Sequence, residues 1–477
     1  MKLRLSILLA LMSVVLLGQN NLQINGLNET QFVYRTVSDS LHTYFRNSFG
    51  FNIGYQDFRF GMKFNADLPR YNNQESELLD ELDANRLSVA WEELYAEYAK
   101  NAFSIHVGTT SETFGQGISF RSYEDLEFDE DHRLESFLLK YEDKLQFKAI
   151  YGAIESEDYA GRYDLAYGSD IQYPVWQGLR LGASAMGYRN LEAFGHYSFR
   201  DVFATRAIFT QGNLDSYAEF ALSKKYHVQG ASDINGSAIY LNADYLWGDL
   251  SIGGAYKRYD DFSFRLQDLP LANYHGETLS DVLASGLDEE GWQIRSGYKL
   301  MDDIYLNADY AEAWDDSRDR KMNDLHLAMD VYQDTNLYQL SWSHIEKVDD
   351  LAHTWQKEFY PTLVAHFTVN GRPLQLTGEF KTVEKQQGQN TNSHYEPMLQ
   401  ADFSIKKLAL SLTVSSWWEN SSNVEYMPNI EAKYPLFEHT NLTLFAGKES
   451  GGKVCRNGIC RYVAPFEGLR VELNTRF

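Results

Sequence analysis

Segments that alternate apolar and polar residues for ten or more positions recur along this chain, and they restrict its fold more than any other feature. Phe58, Phe60, Met62 and Phe64 alternate with Arg59, Gly61, Lys63 and Asn65. Leu145, Phe147, Ala149 and Tyr151 alternate with Gln146, Lys148, Ile150 and Gly152, and Leu374, Leu376, Gly378 and Phe380 with Gln375, Thr377, Glu379 and Lys381. Leu408 to Ser415 reads the same way, and so does the C-terminus. There Leu469, Val471, Leu473, Thr475 and Phe477 share one face, while Arg470, Glu472, Asn474 and Arg476 share the other. A period of two gives a strand with one apolar and one polar side. Strands of soluble sandwiches usually end after about 5 or 6 residues, whereas a tilted strand that crosses a bilayer needs about 9–11. The pattern predicts an all-β fold, a transmembrane antiparallel up-and-down β-barrel.

Composition agrees with that class. Tyr and Phe number 32 and 28, and Pro only 9, which favours strands. After the N-terminus no stretch is apolar enough to cross a bilayer as a helix. The formal charge of −24 excludes nucleic acid as a partner, because phosphate binding needs Lys and Arg. At the N-terminus Lys2 and Arg4 precede an uncharged apolar run from Leu5 to Leu17, and Gly18 gives way to polar residues. That layout predicts a secretory signal peptide over 1–18, with 19–477 as the exported barrel.

Link lengths give an independent reading. Short links fall at 56–57, 100–101, 142–144, 247–249, 301–303, 334–335, 370–373 and 406–407. Longer polar links fall at 68–83, 110–132, 259–289, 315–321, 384–393 and 448–466. With 193–211 taken as one long strand, short and long links alternate. The count is about 24 strands (range 22–26). Both termini and all short turns then lie on the periplasmic side, and the long loops are extracellular. Trp176 and Trp247 sit beside short turns, whereas Trp292, Trp314, Trp417 and Trp418 sit near the opposite strand ends, as interfacial aromatics do. The final strand should pair with the first, near Leu22 to Tyr34, and close the wall.

A barrel of this size is wide unless something fills it. The mature chain enters a strand almost at once, at Leu22, Ile24 and Gly26, so no N-terminal plug domain is expected. Polar-face residues Arg59, Lys63, Lys148, Asp309, Glu379, Lys381, Arg470 and Glu472 are the lumen-lining candidates, mixed in sign. Two outer links are long enough to fold inward. Within 259–289, Leu279, Val282, Leu283 and Leu287 have helical spacing and Thr278 with Asp281 could cap a short helix that narrows the pore. Carboxylates crowd these links: Glu124, Asp125, Glu127, Asp129, Glu130, Asp131 and Glu135 in one, Asp260, Asp261, Asp268, Glu277, Asp281, Asp288, Glu289 and Glu290 in the other. No spacing matches a calcium loop, so they read as an acidic rim, with no metal and no cofactor.

Cys455 and Cys460 flank Asn457-Gly458, the strongest short hairpin signal. With that dipeptide as the turn, Arg456 pairs with Ile459 and Cys455 faces Cys460, where a disulfide can close. His196 with Ser198 and His344 with Ser341 are sequence neighbours that nothing marks as a catalytic unit, and no phosphate loop or zinc spacing occurs. An enzyme is not expected.

Thr113-Phe114-Gly115-Gln116-Gly117-Ile118, Arg121-Ser122-Tyr123-Glu124-Asp125 and the Cys455 to Val463 hairpin resemble an uncharacterised outer-membrane β-barrel family of the Bacteroidota, a domain of unknown function. The terminal Leu473, Thr475 and Phe477 resemble the C-terminal assembly signal of bacterial outer-membrane barrels. The resemblance implies fold and location and adds no substrate. Its implied partners are outer-membrane lipid and the barrel-assembly machinery. The leading expectation is a porin-like channel for passive or gated diffusion of small hydrophilic solutes. The alternative is a scaffold that docks a surface lipoprotein, secretion or envelope partner on its extracellular loops, and an outer-membrane enzyme comes third.

Overall fold

A computed structural model describes residues 22–477 apart from 37–42, 69–87, 126–129, 157–158, 160, 193–195, 228–232, 281–284, 389, 421–422, 457–458 and 464. The predicted signal peptide and the 68–83 link beyond Leu68 lie outside the described residues. The chain forms one closed, antiparallel sheet of 24 strands. Its first strand, Leu22–Arg35, pairs on one side with Thr43–Tyr55 and on the other with the last, Phe466–Arg476. The register sets Thr30 opposite Leu473 and Phe32 opposite Val471, which closes the wall. Closure leaves no unpaired edge in the apolar layer, where an orphaned backbone N–H or C=O costs several kcal/mol.

Tight turns gather at the end where Leu22 and Phe477 lie. Gln56, Asn101, Asp334, Asn370 and Lys406 each open a two-residue turn with φ of 52°, 54°, 53°, 51° and 56°. Two-residue hairpins that match strand twist require positive φ at this position, which explains the short polar residues at most of them. The 100–101 link is in fact 101–102, because Lys100 still pairs with Phe103. Turns at 143–145, 177–178, 212–213, 248–249, 302–303 and 438–439 complete this end.

At the opposite end the strands Phe103–Thr110 and Leu134–Glu142 bracket one long link, and Leu250–Asp260 and Asp288–Met301 bracket another. The expected long link at 384–393 is a correction. Arg372–Gln387 and Asn390–Ile405 run on until Gln387 faces Asn390. Polar composition there marks strand that projects beyond the apolar band, not loop. Among the described residues no helix occurs. The segment expected to be helical at 278–287 has no helix at 278–280 or 285–287, and 281–284 lie outside the described residues. The outer hairpin Gly452–Arg456 with Ile459–Val463 sets Cys455 opposite Cys460. The side chains of that hairpin, and with them the disulfide, lie outside the described residues.

The two faces of the wall differ as the alternation requires. Ile24, Tyr151, Phe203, Leu222, Ile294, Leu399 and Tyr426 point outward and are exposed, as a lipid-facing band is. Trp176 and Trp247 stand exposed at the turn end. The apolar core lies inside the barrel. It is built where two links meet the inward face of the strands from Leu134 to Asp260.

Candidate functional site

Those two links fold into the barrel. In the first, Glu112–Phe114 pairs with Phe120–Ser122 in a small hairpin whose Phe114, Ile118 and Phe120 are 0% exposed. They pack on inward residues such as Leu138, Ile150, Met186, Tyr188 and Val202. Residues 261–287 add Phe262, Leu266 and Leu269 to the same cluster. Burying six large apolar side chains contributes roughly 1.5–3 kcal/mol each, offset in large part by the entropy of ordering the loops, so docking is favoured by a modest net margin. The two loops also bind each other. The Arg121 N–H donates to the Leu266 carbonyl at 2.9 Å, the Asp268 N–H donates to the Gly117 carbonyl at 3.0 Å, and Arg121 pairs with Asp268.

Gly115 and Gly117 make this docking feasible. Their φ values are 58° and 92°, in the left-handed region open to glycine. A Cβ on Gly115 would stand 2.7 Å and 2.8 Å from the two carboxylate oxygens of Glu219. The space is needed, because the Gln116 N–H donates to Glu219 Oε2 at 3.3 Å. Tyr188 donates its hydroxyl to the Ser119 carbonyl at 2.5 Å. Glu112 takes Lys148 at 2.7 Å and also Lys140. Burial pushes the Glu112 carboxyl up, but the two ammonium groups outweigh it and hold the group below its usual range.

The second loop continues across the lumen to the strands Arg320–Gln333 and Asn336–Asp349. His275 Nδ1 lies 2.7 Å from Asp324 Oδ1, and the His275 backbone N–H donates to Asp324 Oδ2 at 3.1 Å. His275 Nε2 is 3.1 Å from Ser343 Oγ, which is 2.9 Å from His326 Nδ1. A carboxylate only accepts, so Nδ1 of His275 carries a proton. With His275 and His326 both neutral, Nε2 then accepts the Ser343 hydroxyl and Ser343 accepts from His326. Tyr274 stacks on the His326 ring at 3.7 Å, Glu277 binds Lys347 at 2.7 Å, and Leu279 packs on Ala313 and Met322.

Asp324, His275 and Ser343 have the order of an acyl-transfer triad. Ser343, however, is 2% exposed and its oxygen is enclosed between two imidazoles. The set ties the second loop to the two wall strands, as a latch does.

The acidic links therefore differ from a freely solvated rim. Glu124 meets Lys63 at 3.6 Å and Arg133 at 3.5 Å, and Asp131 meets Arg133 at 2.7 Å. Glu289 pairs with the fully buried Lys257. Lys63 and Lys257 from the wall, and Arg133 from the link itself, hold these carboxylates in place. Sequence reading weighed charge and passed over Phe114, Ile118 and Phe120, although three large apolar residues in a link were themselves a signal of inward docking.

The eight polar-face candidates all sit on the face opposite the exposed apolar band. Lys63 binds Glu92 at 3.0 Å, Lys148 binds Glu112, Lys381 binds Glu358 at 2.6 Å, and Arg470 binds Glu472 at 3.1 Å. Asp309 accepts from Gln293 at 2.8 Å, Glu379 from Thr362 at 3.2 Å, and Arg59 faces Glu97 in the register. They are spread around the ring, and among the described residues Lys63 and Lys148 touch the first loop.

Residues 1–284 match a family described as Family of unknown function (DUF6029). The chain belongs to this family. No curated protein matches the DUF6029 chain. Among solved structures it is similar to a chain of the E. coli P pilus tip assembly intermediate PapC-PapD-PapK-PapG, with 10% identity and a TM-score of 0.58. That match covers 96% of this chain but only 60% of the other. It is also similar to the P pilus usher (PapC) translocation pore, with 11% identity and a TM-score of 0.52, covering 95% and 99%. At such identities the likeness is one of fold.

Proposed function

We propose that this DUF6029 protein is an exported outer-membrane channel for small hydrophilic solutes, narrowed by two of its own extracellular loops. The observation that carries the reading is the inward docking of 111–133 and 261–287. They form an apolar core inside a barrel whose remaining inward face is polar. Cavities of about 410 Å³ and 500 Å³ remain below them, lined by Lys148, Asp170 and Arg206 in one case and by Asp244, Arg295 and Asp309 in the other. The strand ends with short turns face the periplasm, and the apolar band with its aromatic ends faces lipid. The loops are held by a latch of a few hydrogen bonds plus a small core, so a gated rather than a fixed constriction follows.

Planar-bilayer recording with purified protein tests this. Small, flickering conductance in the wild type and a larger step after replacement of 113–121 by a short Gly-Ser linker are expected. Silence of both proteins would refute the channel and favour a scaffold for a protein partner, which co-purification from native membranes would then reveal.

A further inference from the structure

We infer that the cavity of about 500 Å³ beneath the second loop is a binding site for a small organic cation, an ammonium on a short chain. The inference names the solute class of the proposed channel and rests on that reading only for the claim that the solute passes through.

Three carboxylates, Asp244, Asp309 and Asp330, and one guanidinium, Arg295, line this space. Arg295 is committed to Asp244, Nε to Oδ1 at 2.9 Å and a terminal nitrogen to Oδ2 at 2.5 Å, in the bidentate geometry that satisfies both groups. The other two carboxylates receive only neutral amide donors. Gln293 donates to Asp309 Oδ2 at 2.8 Å, and Gln339 donates to Asp330 Oδ1 at 3.1 Å. Asp309 is 7% exposed and its Oδ1 has no hydrogen-bond partner. A carboxylate oxygen this buried is costly until a donor or a cation reaches it. The cavity therefore carries two acids without an ion pair of their own, and Asp309, opposite Arg295 in the strand register, keeps one buried acceptor unmet behind its wall.

Its roof is Tyr274, one face of which lies on His326 while half of the residue stays exposed. An ammonium held between carboxylates and a ring face gains from both. Among the described residues no three His, Cys, Asp or Glu side chains are placed to hold a metal ion. The volume lies within the roughly 300–1,000 Å³ usual for small-molecule sites.

The test is calorimetric titration of the detergent-solubilised full chain with 1,5-diaminopentane, against glutarate and glucose. Saturable binding of the diamine, with none of the other two, is expected. Asp309→Asn should weaken it about tenfold or more, Asp330→Asn likewise, and the double variant should abolish it. Tyr274→Leu, whose loop position leaves the wall untouched, should cost several-fold. Glu29→Gln on the first strand, across the ring, should bind as the wild type does. A heat-dependent shift in gel mobility identifies variants that have folded. No saturable heat, equal binding of glucose or glutarate, or wild-type affinity in the folded double variant would overturn the site. Binding without any bilayer conductance would remove the channel and leave the site standing.

Discussion

Replacing Phe120 by Ala should open the barrel without unfolding it. Phe120 is 0% exposed and packs on Phe114 with ring centroids 5.0 Å apart. The substitution removes the ring from the centre of the core that joins both loops to the wall. Large-to-small changes of this kind cost about 3–5 kcal/mol, and the lost aromatic pair is part of that sum. None of the 24 wall strands contains Phe120, so the cost falls on docking rather than on the ladder of hydrogen bonds that closes the ring. At 1.4 kcal/mol per decade, the undocked-to-docked ratio should rise by roughly two to three orders of magnitude. Single-channel recording should show a higher open probability and longer openings, while the folded protein keeps its heat-dependent gel shift. If Phe120→Ala left the open probability within a factor of two of wild type, the inward core would not be what closes the pore.

His275→Ala should release the second loop, exposing 273–280 to limited proteolysis. Leaving Asp324 buried without the imidazole donor costs about 1–3 kcal/mol, and unchanged cleavage would count against the latch. Glu112 is held below its usual range, so the docking stability it supplies is present above the ordinary glutamate pKa of 4.5. It is lost as pH falls through the lowered value. Conductance should therefore be flat from pH 8 to 5 and rise only at pH below the ordinary glutamate range, and Glu112→Gln should flatten that rise. A Cβ on Gly26 would overlap the Phe477 ring, which stacks on Phe49 at 5.7 Å. Gly26→Val and deletion of Phe477 should both lower the yield of folded barrel, read by gel shift, far more than they change unit conductance. Thiol labelling of the denatured, unreduced protein should find Cys455 and Cys460 blocked, and free thiols at both would reject the disulfide.

The wall was legible because its physics is local. Alternation at Phe58 to Asn65 or Leu408 to Ser415 reports directly which side meets lipid, and Asn, Asp and Gly mark turns that need positive φ. The closing pair of Leu22–Arg35 and Phe466–Arg476 followed from the same logic. Where polarity and strand coincide the reading failed. Glu384 to Gln387 looks like loop but pairs with Asn390 to Ser393. The interior was much less readable. Nothing near Tyr274 in sequence announces Asp324 or Ser343, which reach His275 only through the barrel's closure. The helical spacing of Leu279 to Leu287 pointed to a loop that folds inward, where Leu279 packs on Ala313 and Met322, while 278–280 and 285–287 are not helical.

Both inward loops are fixed to the wall at each end, by Thr110 and Leu134 for one and by Asp260 and Asp288 for the other. Such a stopper is on a leash. With roughly 25 residues per loop, doubled back on itself, each reaches at most about 40 Å from its roots. It can swing clear of the bore but cannot be lost to the surroundings, so every opening keeps its own closing element at high local concentration. Return is then a first-order event governed by loop motion, on the microsecond-to-millisecond scale of such rearrangements. The duration of each opening should accordingly be independent of how much protein the membrane contains.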